Sequence, residues 1–420
     1  MFLIYQIIII TIIIISPIIF LYRIVKSKED KIRFKEKLCF FSKIRGHGKL
    51  IWFHGSSVGE ILSIFPLIHE LEKNNSIKKI LITSSTLSSS QIFKKFKFKK
   101  TIHQFFPIDS IFFSYKFLNY WKPSIAIFVE SEIWPSIFQT LDKKKIPLLL
   151  LNARITRKTF QKWKRLKNFS VKIFGKIAIA YAQNLETFKY LKKLNTKKVK
   201  FIGNLKYVEN KQIRKISLDQ KLIKRFKDRD IWIASSTHLG EELLCSKAHV
   251  DLKKKHPKLL TIIIPRHIHR VDNIIKEINK LNLNVAKHSE NKINLKNIDI
   301  YIVDAFGETQ KFYKISKAVF LGGSLIKRGG QNPLEAVRHG ANVLHGPNID
   351  NFKEIYKLLK SLNISYQVNS LKSLVRTIDN FILFPNKKNN YTKLKIIGDK
   401  ILNKTINEIN YEIKNEIKKT

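Results

Sequence analysis

The chain has 420 residues, with 79 Lys plus Arg against 32 Asp plus Glu, for a formal net charge of +47. Its only cysteines are Cys39 and Cys245, and no C-x-x-C pair occurs, so neither a disulfide framework nor a cysteine zinc site is suggested. The charge invites a nucleic-acid reading, but Lys is spread along the whole chain without zinc-finger spacing or an RNP-type aromatic motif. Codon drift toward Lys, Ile and Asn, together with attraction to an anionic leaflet of about 1 kcal/mol per well-placed Lys or Arg, fits better. No nucleic-acid partner is expected.

Residues 1–22 read as a membrane-anchor helix. Phe2 to Tyr22 carry no charge and are mostly Ile. At about 1.5 Å per residue they reach roughly the 30 Å of a hydrocarbon core. A cleavable signal would need a charged n-region and a small-residue cleavage site, and neither is present. Residues 23–48 form a basic juxtamembrane segment, which by the positive-inside rule keeps the body cytoplasmic. Pro17 is a candidate kink.

From residue 49 short apolar runs alternate with amphipathic stretches. Leu50–Phe53, Lys79–Thr83, Ile102–Phe106, Ile125–Val129, Pro147–Leu151, Ile177–Ala182 and Val199–Ile202 are the expected strands of a first domain, 49–207. A Lys-rich connection, 208–230, separates it from a second series. There Ile231–Ala234, Leu259–Ile264, Ile298–Val303, Ala318–Leu321 and Asn342–Leu344 build a second domain, 231–386, followed by a C-terminal helix over 387–420. The fold class is α/β, two doubly wound domains in tandem. Ligands of such sheets sit beyond the carboxyl ends of the strands, and two domains facing each other would enclose a cleft.

Polar residues collect at those strand ends. In the second domain they are Ser235–His238, Pro265–His267, Asp304–Glu308, and Gly322–Ser324 followed by Arg328–Glu335. Asn332 suits an N-cap, Pro333 the first helical position and Glu335 a capping box, so a helix start with free N–H groups is expected to hold phosphate, helped by Arg266. Taken singly, Asn-Pro is an ordinary cap; four polar strand ends together favour a nucleotide site. In the first domain, His54-Gly55-Ser56-Ser57-Val58-Gly59-Glu60 leads into a helix whose dipole favours ionised Glu60. Glu60 is either a general base or a common first-turn carboxylate. Glu130-Ser131-Glu132 and Asn152-Ala153-Arg154 also follow strands, and their side chains are expected to face the crevice. His238, His267 and His269 lack metal-ligand spacing, and no metal is expected. Neither a G-x-S-x-G elbow nor a Walker A loop occurs.

These motifs resemble the 3-deoxy-D-manno-octulosonic acid (Kdo) transferases of lipopolysaccharide synthesis, from the anchor to about residue 360. The resemblance is carried by His54–Glu60, Glu130–Pro135, Asn152–Arg154, Gly203–Lys206, Ser235–His238, Pro265–His267, Gly322–Ser324 with Arg328–Glu335, Gly346–Pro347 and Asn351–Glu354. It implies the glycosyltransferase B arrangement of two Rossmann-like domains behind an inner-membrane anchor. It also implies CMP-Kdo as donor, the lipid A precursor as acceptor, inverting transfer, and no cofactor. Glu60 then matches the proton acceptor, and Glu130 and Lys206 match transition-state stabilisers. Pro265, Arg266, Phe306, Gly307, Glu308, Asn332, Pro333, Leu334 and Glu335 match CMP-binding segments. Three positions depart from the family pattern: Gln331 replaces His, Val208 replaces Asp, and Phe306 replaces a smaller or more flexible residue. A transferase using a UDP-sugar and a membrane-tethered nucleic-acid binder are the alternatives.

Overall fold

Runs of Ile, Leu, Val and Phe with no polar alternation cannot form a sheet that is wet on one side; they need cover on both faces. The computed structural model describes residues 1–210, 220–290, 297–316, 318–384 and 389–419, and shows that solution twice. The chain divides into two units, Met1–Gln212 with Ile397–Thr420, and Ile213–Ile396. Residues 211–219 of the expected connection lie outside the described residues.

In the first unit β1 (Leu50–His54), β2 (Lys79–Ser84), β3 (Thr101–Phe105), β4 (Ile125–Val129), β5 (Leu148–Ala153), β6 (Ile179–Ala182) and β7 (Val199–Phe201) are all parallel, in the order β3-β2-β1-β4-β5-β6-β7. Successive side chains of β1 serve opposite layers: Trp52 packs with Phe117, Phe128 and Phe138, while Phe53 packs with Ile64, Phe65 and Ile127. Strand order reverses around β1, so the loops after β1 and β4 flank the one place where helices leave to opposite faces. That switch point is where an open parallel sheet leaves a crevice.

The second unit repeats the logic. Its strands β8 (Asp230–Thr237), β9 (Leu259–Pro265), β10 (Val285–Lys287), β11 (Ile300–Ile302), β12 (Ala318–Leu321), β13 (Asn342–His345) and β14 (Ser365–Gln367) are parallel in the order β10-β11-β9-β8-β12-β13-β14. Its switch point lies between β8 and β12. The edge strands β10 and β14 are absent from the sequence-based expectation. Each is three residues long and half-exposed, so neither carries an apolar run.

The apolar N-terminal helix, α1, runs Phe2–Val25 with Pro17 inside it and is long and apolar enough to cross a membrane. At the other end of the chain, helix Asn389–Lys419 contributes Ile401, Ile409 and Ile413 to the core of the first unit. Close approach requires glycine here: a Cβ on Gly398 would stand 2.6 Å from the Tyr207 carbonyl oxygen, and one on Gly203 2.8 Å from Ile401. Ile409 is fully buried in this seam. Ile409→Ala should therefore destabilise the first unit by about 2–5 kcal/mol, measured as a lower denaturant midpoint for that unit's unfolding.

Candidate active site

The first unit's switch point gathers carboxylates. Ser57 caps helix α2 (Val58–Leu71), and Glu60, at its third position, completes a capping box. Glu60 Oε2 accepts from the backbone N–H of Ser56 at 2.6 Å and of Ser57 at 3.2 Å. Across the crevice Glu130 ends β4 in a left-handed conformation (φ 59°), unusual for a residue with a Cβ and a known mark of functional loops. Its carboxylate pairs with Lys206 Nζ at 2.6 Å. Lys206 is presented by the turn Leu205–Tyr207, whose first N–H donates to the buried Asn152 side chain at 3.0 Å. The sequence motifs at 60, 130, 152 and 206 thus converge on one place.

Glu132, given no individual role from sequence, organises the rest. Its Oε2 accepts from Ser56 Oγ, from Trp134 Nε1 at 2.7 Å and from His54 Nε2 at 3.1 Å. Trp52 donates to the Thr83 hydroxyl at 2.9 Å, and that hydroxyl lies 2.9 Å from His54 Nδ1. A hydroxyl that donates to Nδ1 leaves the ring proton on Nε2, facing Glu132. Burial opposes charge on Glu132, but the hydrogen bonds from His54, Ser56 and Trp134 outweigh it and hold the carboxyl below its ordinary range.

Glu60 behaves oppositely. Burial, then the nearby charges of Glu132 and Glu130, push its carboxyl up to about 7, against backbone N–H groups that pull it down. The helix start does favour ionised Glu60, through the Ser56 and Ser57 N–H groups, but burial and two like charges outweigh it. A dipole end is worth about 0.3–1 kcal/mol at an exposed site, less here than desolvation beside two like charges. The result is a carboxyl that titrates near neutrality beside Glu132, whose donors favour its charged form.

In the second unit the loop ends at the switch point are tied by one side chain. Buried Glu241 accepts from the N–H groups of His238 (3.0 Å), Gly323 (2.7 Å), Ser324 (3.2 Å) and Leu325 (3.1 Å). Gly322 must be glycine, since a Cβ there would stand 2.5 Å from the Ser236 carbonyl oxygen. Pro265 ends β9 beside Thr237, and the Arg266 N–H donates to the Thr237 carbonyl at 3.0 Å with its side chain exposed. Phe306 is 78 % exposed, Gly307 is left-handed, and Glu308 pairs with Lys311. The following helix, Thr309–Tyr313, returns to the site: Tyr313 Oη lies 2.9 Å from Ser235 Oγ, and Gln310 hydrogen-bonds Glu335.

The helix start expected at Asn332 differs. Asn332 Oδ1 accepts from the Leu334 N–H at 3.1 Å, as a cap would, but the helix is only Leu334–Arg338 with Pro333 before it. Glu335 is turned inward, its carboxyl raised by burial, and forms no capping box. Five residues align too few peptides for a strong dipole, so glycine-loop backbone and side chains remain the polar groups on offer. Of the departing positions, Val208 packs into the core beside the C-terminal helix, and the Gln331 carbonyl accepts from Tyr356 Oη at 3.0 Å.

Glu241 escaped sequence reading because an acid in a helix's first turn is ordinary. Glu241→Gln would turn an amide donor toward backbone donors, at about 1–3 kcal/mol. Amide exchange at Gly323 and Ser324 should then rise by about tenfold or more, read by hydrogen–deuterium exchange.

A family model described as 3-deoxy-D-manno-octulosonic-acid transferase (kdotransferase) matches residues 32–209. A 3-deoxy-D-manno-octulosonic acid transferase of Rickettsia bellii is 33% identical over 376 residues, covering 88% of each chain. That of Haemophilus influenzae is 30% identical, covering 84% of this chain and 83% of its own. Among solved structures, UDP-GlcNAc 2-epimerase from Neisseria meningitidis superposes with a TM-score of 0.58 at 15% identity, covering 89% of this chain and all of that one. That likeness is one of fold, the glycosyltransferase B arrangement.

Proposed function

The chain belongs to the 3-deoxy-D-manno-octulosonic acid (Kdo) transferase family, and on that premise we propose that it is an inverting transferase moving Kdo from CMP-Kdo to a hydroxyl of the lipid A precursor, lipid IVA. The observation that carries this reading is Glu60: a carboxyl raised to about 7, fixed by two backbone N–H groups beside two further carboxylates. A general base works best when its pKa lies near the operating pH.

In the proposed step Glu60 takes the proton from the acceptor hydroxyl as its oxygen bonds to the anomeric carbon of Kdo. The bond from that carbon to the CMP phosphate oxygen breaks, and CMP leaves with the electron pair. One displacement inverts the anomeric centre and needs no covalent intermediate. Lys206, held by Glu130, is assigned to stabilising charge in the transition state. Pro265, Arg266, Phe306, Gly307, Glu308 and Asn332 to Glu335 are assigned to CMP. The Phe306 ring, exposed on its loop, suits stacking against a pyrimidine. We place the protein at the inner membrane with its catalytic body on the cytoplasmic face, where the basic segment 23–48 meets anionic lipid.

Incubating membranes that contain the protein with CMP-Kdo and lipid IVA, then weighing the lipid, tests the reaction: a mass gain of one or more Kdo units is expected. No gain, or saturable binding of UDP with indifference to CMP, would return the case to a UDP-sugar enzyme.

Glu60→Gln should lower kcat/KM by about 10² to 10⁴ while CMP affinity changes little. In the parent enzyme kcat/KM should rise with pH through about 7, as Glu60 loses its proton, and the variant should lack that limb. The same shift has a stability consequence. The folded carboxyl keeps its proton up to about 7, against an ordinary 4.5, so the folded state holds the extra proton between those values. Stability therefore falls as pH rises through that window. Glu60→Gln should melt higher than the parent above pH 7 and show no such advantage below 4.5. Lys206→Ala should reduce turnover; a normal rate would remove it from the mechanism.

A further inference from the structure

Taking the membrane association proposed above as given, we propose that α1 lies in the plane of the membrane surface. One stripe is bound to the first unit, the rest of its circumference is immersed in a single leaflet, and the helix does not cross the bilayer.

The stripe is regular. The shielded positions of the helix are Phe2, Tyr5, Gln6, Ile9, Ile13, Ser16, Phe20, Arg23 and Ile24; from Phe2 through Gln6, Ile9, Ile13, Ser16 and Phe20 to Arg23 they recur alternately four and three apart, the period of a helix packed lengthwise on a neighbour. Both ends of that stripe are pinned. Near the start, Tyr5 Oη donates to the Asp109 carboxylate at 2.6 Å, and Gln6 Nε2 to Ser136 Oγ at 2.8 Å. Near the end, Arg23 Nε lies 3.0 Å from Glu29, which also pairs with Lys37 at 2.6 Å, and the Phe20 ring sits 5.4 Å from Phe34. From residue 5 to residue 23 the axis covers about 27 Å at 1.5 Å per residue, nearly the roughly 30 Å of a hydrocarbon core.

A helix fastened along that length cannot span while the first unit stays in water. Crossing would either draw Asp109 and Ser136 into hydrocarbon or break their bonds to Tyr5 and Gln6 at the far end of the helix, and unpaired polar groups at membrane depth cost several kcal/mol each. Lying flat demands neither. The opposite stripe is then accounted for: Leu3, Ile7, Ile10, Ile14, Ile18 and Leu21 are 54–72% exposed and face away from the protein. Lipid is the occupant that matches the surroundings, because Arg23, Lys26, Lys28 and Lys31 follow directly, and no charge interrupts Phe2–Tyr22.

The helix start is also close to the carboxylates through bonded steps. Asp109 accepts the N–H groups of Ser136 (3.0 Å) and Ile137 (2.9 Å), the second and third residues of helix Pro135–Lys143. Trp134, just before it, donates to Glu132. A flat α1 holds the loops after β3 and β4 at headgroup level. A lipid-borne hydroxyl can then approach Glu60 without its acyl chains leaving the leaflet.

The test uses the full chain with an epitope at each end, in inverted inner-membrane vesicles treated with an added protease. Loss of both epitopes supports the in-plane helix. An N-terminal epitope protected while the C-terminal one is cut overturns it and leaves membrane association intact. A chain that does not sediment with the vesicles overturns both. Independently, the double variant Gln6→Cys, Ser136→Cys should form a disulfide on oxidation in the vesicles, Cys39 and Cys245 being buried. A pair that links in detergent but never in membranes means that α1 has left the first unit, which defeats the proposal.

Discussion

Crowding three carboxylates at the end of one parallel sheet is the constraint on which the first unit's site rests. Negative charges that close repel one another, and burial raises the cost. The fold resolves the conflict unequally. Among the described residues Glu130 receives Lys206, Glu132 receives three hydrogen-bond donors, and Glu60 receives backbone N–H groups and is left with a pKa of about 7. Different roles for chemically identical groups arise from which partners the loops deliver. Ser56 joins two of them: its backbone N–H serves Glu60 while its hydroxyl serves Glu132.

The second unit uses the same topology for a different purpose. At its switch point a single carboxylate, Glu241, gathers four backbone N–H groups from the loops after β8 and β12. That geometry holds a glycine-rich loop in one shape, which lets backbone come close to a ligand. A charge-assisted bond to backbone is roughly twice as strong as a neutral one. The short helix at Leu334 contributes less than its sequence signature promises, so loop rigidity takes on more of the task of presenting polar groups.

The N-terminal helix and the carboxylate site are joined by side-chain bonds within one unit. Here Tyr5 and Gln6 are bonded to Asp109 and Ser136, next to the loop that carries Glu132. In the proposed in-plane seating, orientation of the body against the lipid surface is a property of the folded unit, set by side-chain contacts. That seating suits the proposed lipid acceptor, whose headgroup is already confined to that plane.

The strand runs that became twelve of the fourteen strands, the apolar N-terminal helix and the motifs at 60, 130, 206, 266 and 332 were legible in the sequence. Local rules govern each: an apolar run must be covered, and glycine or acid after a strand marks a loop end. Edge strands β10 and β14 were not, because pairing with one neighbour demands no apolar signature of its own. The seating of Ile401 and Ile409 beneath the first sheet, the organising parts played by Glu132 and Glu241, the raised pKa of Glu60 and the lengthwise bonding of α1 also belong to the tertiary structure. Each depends on distances between residues far apart in the chain. A residue's type sets which bonds it can make, whereas burial and the company of distant charges decide which it does make.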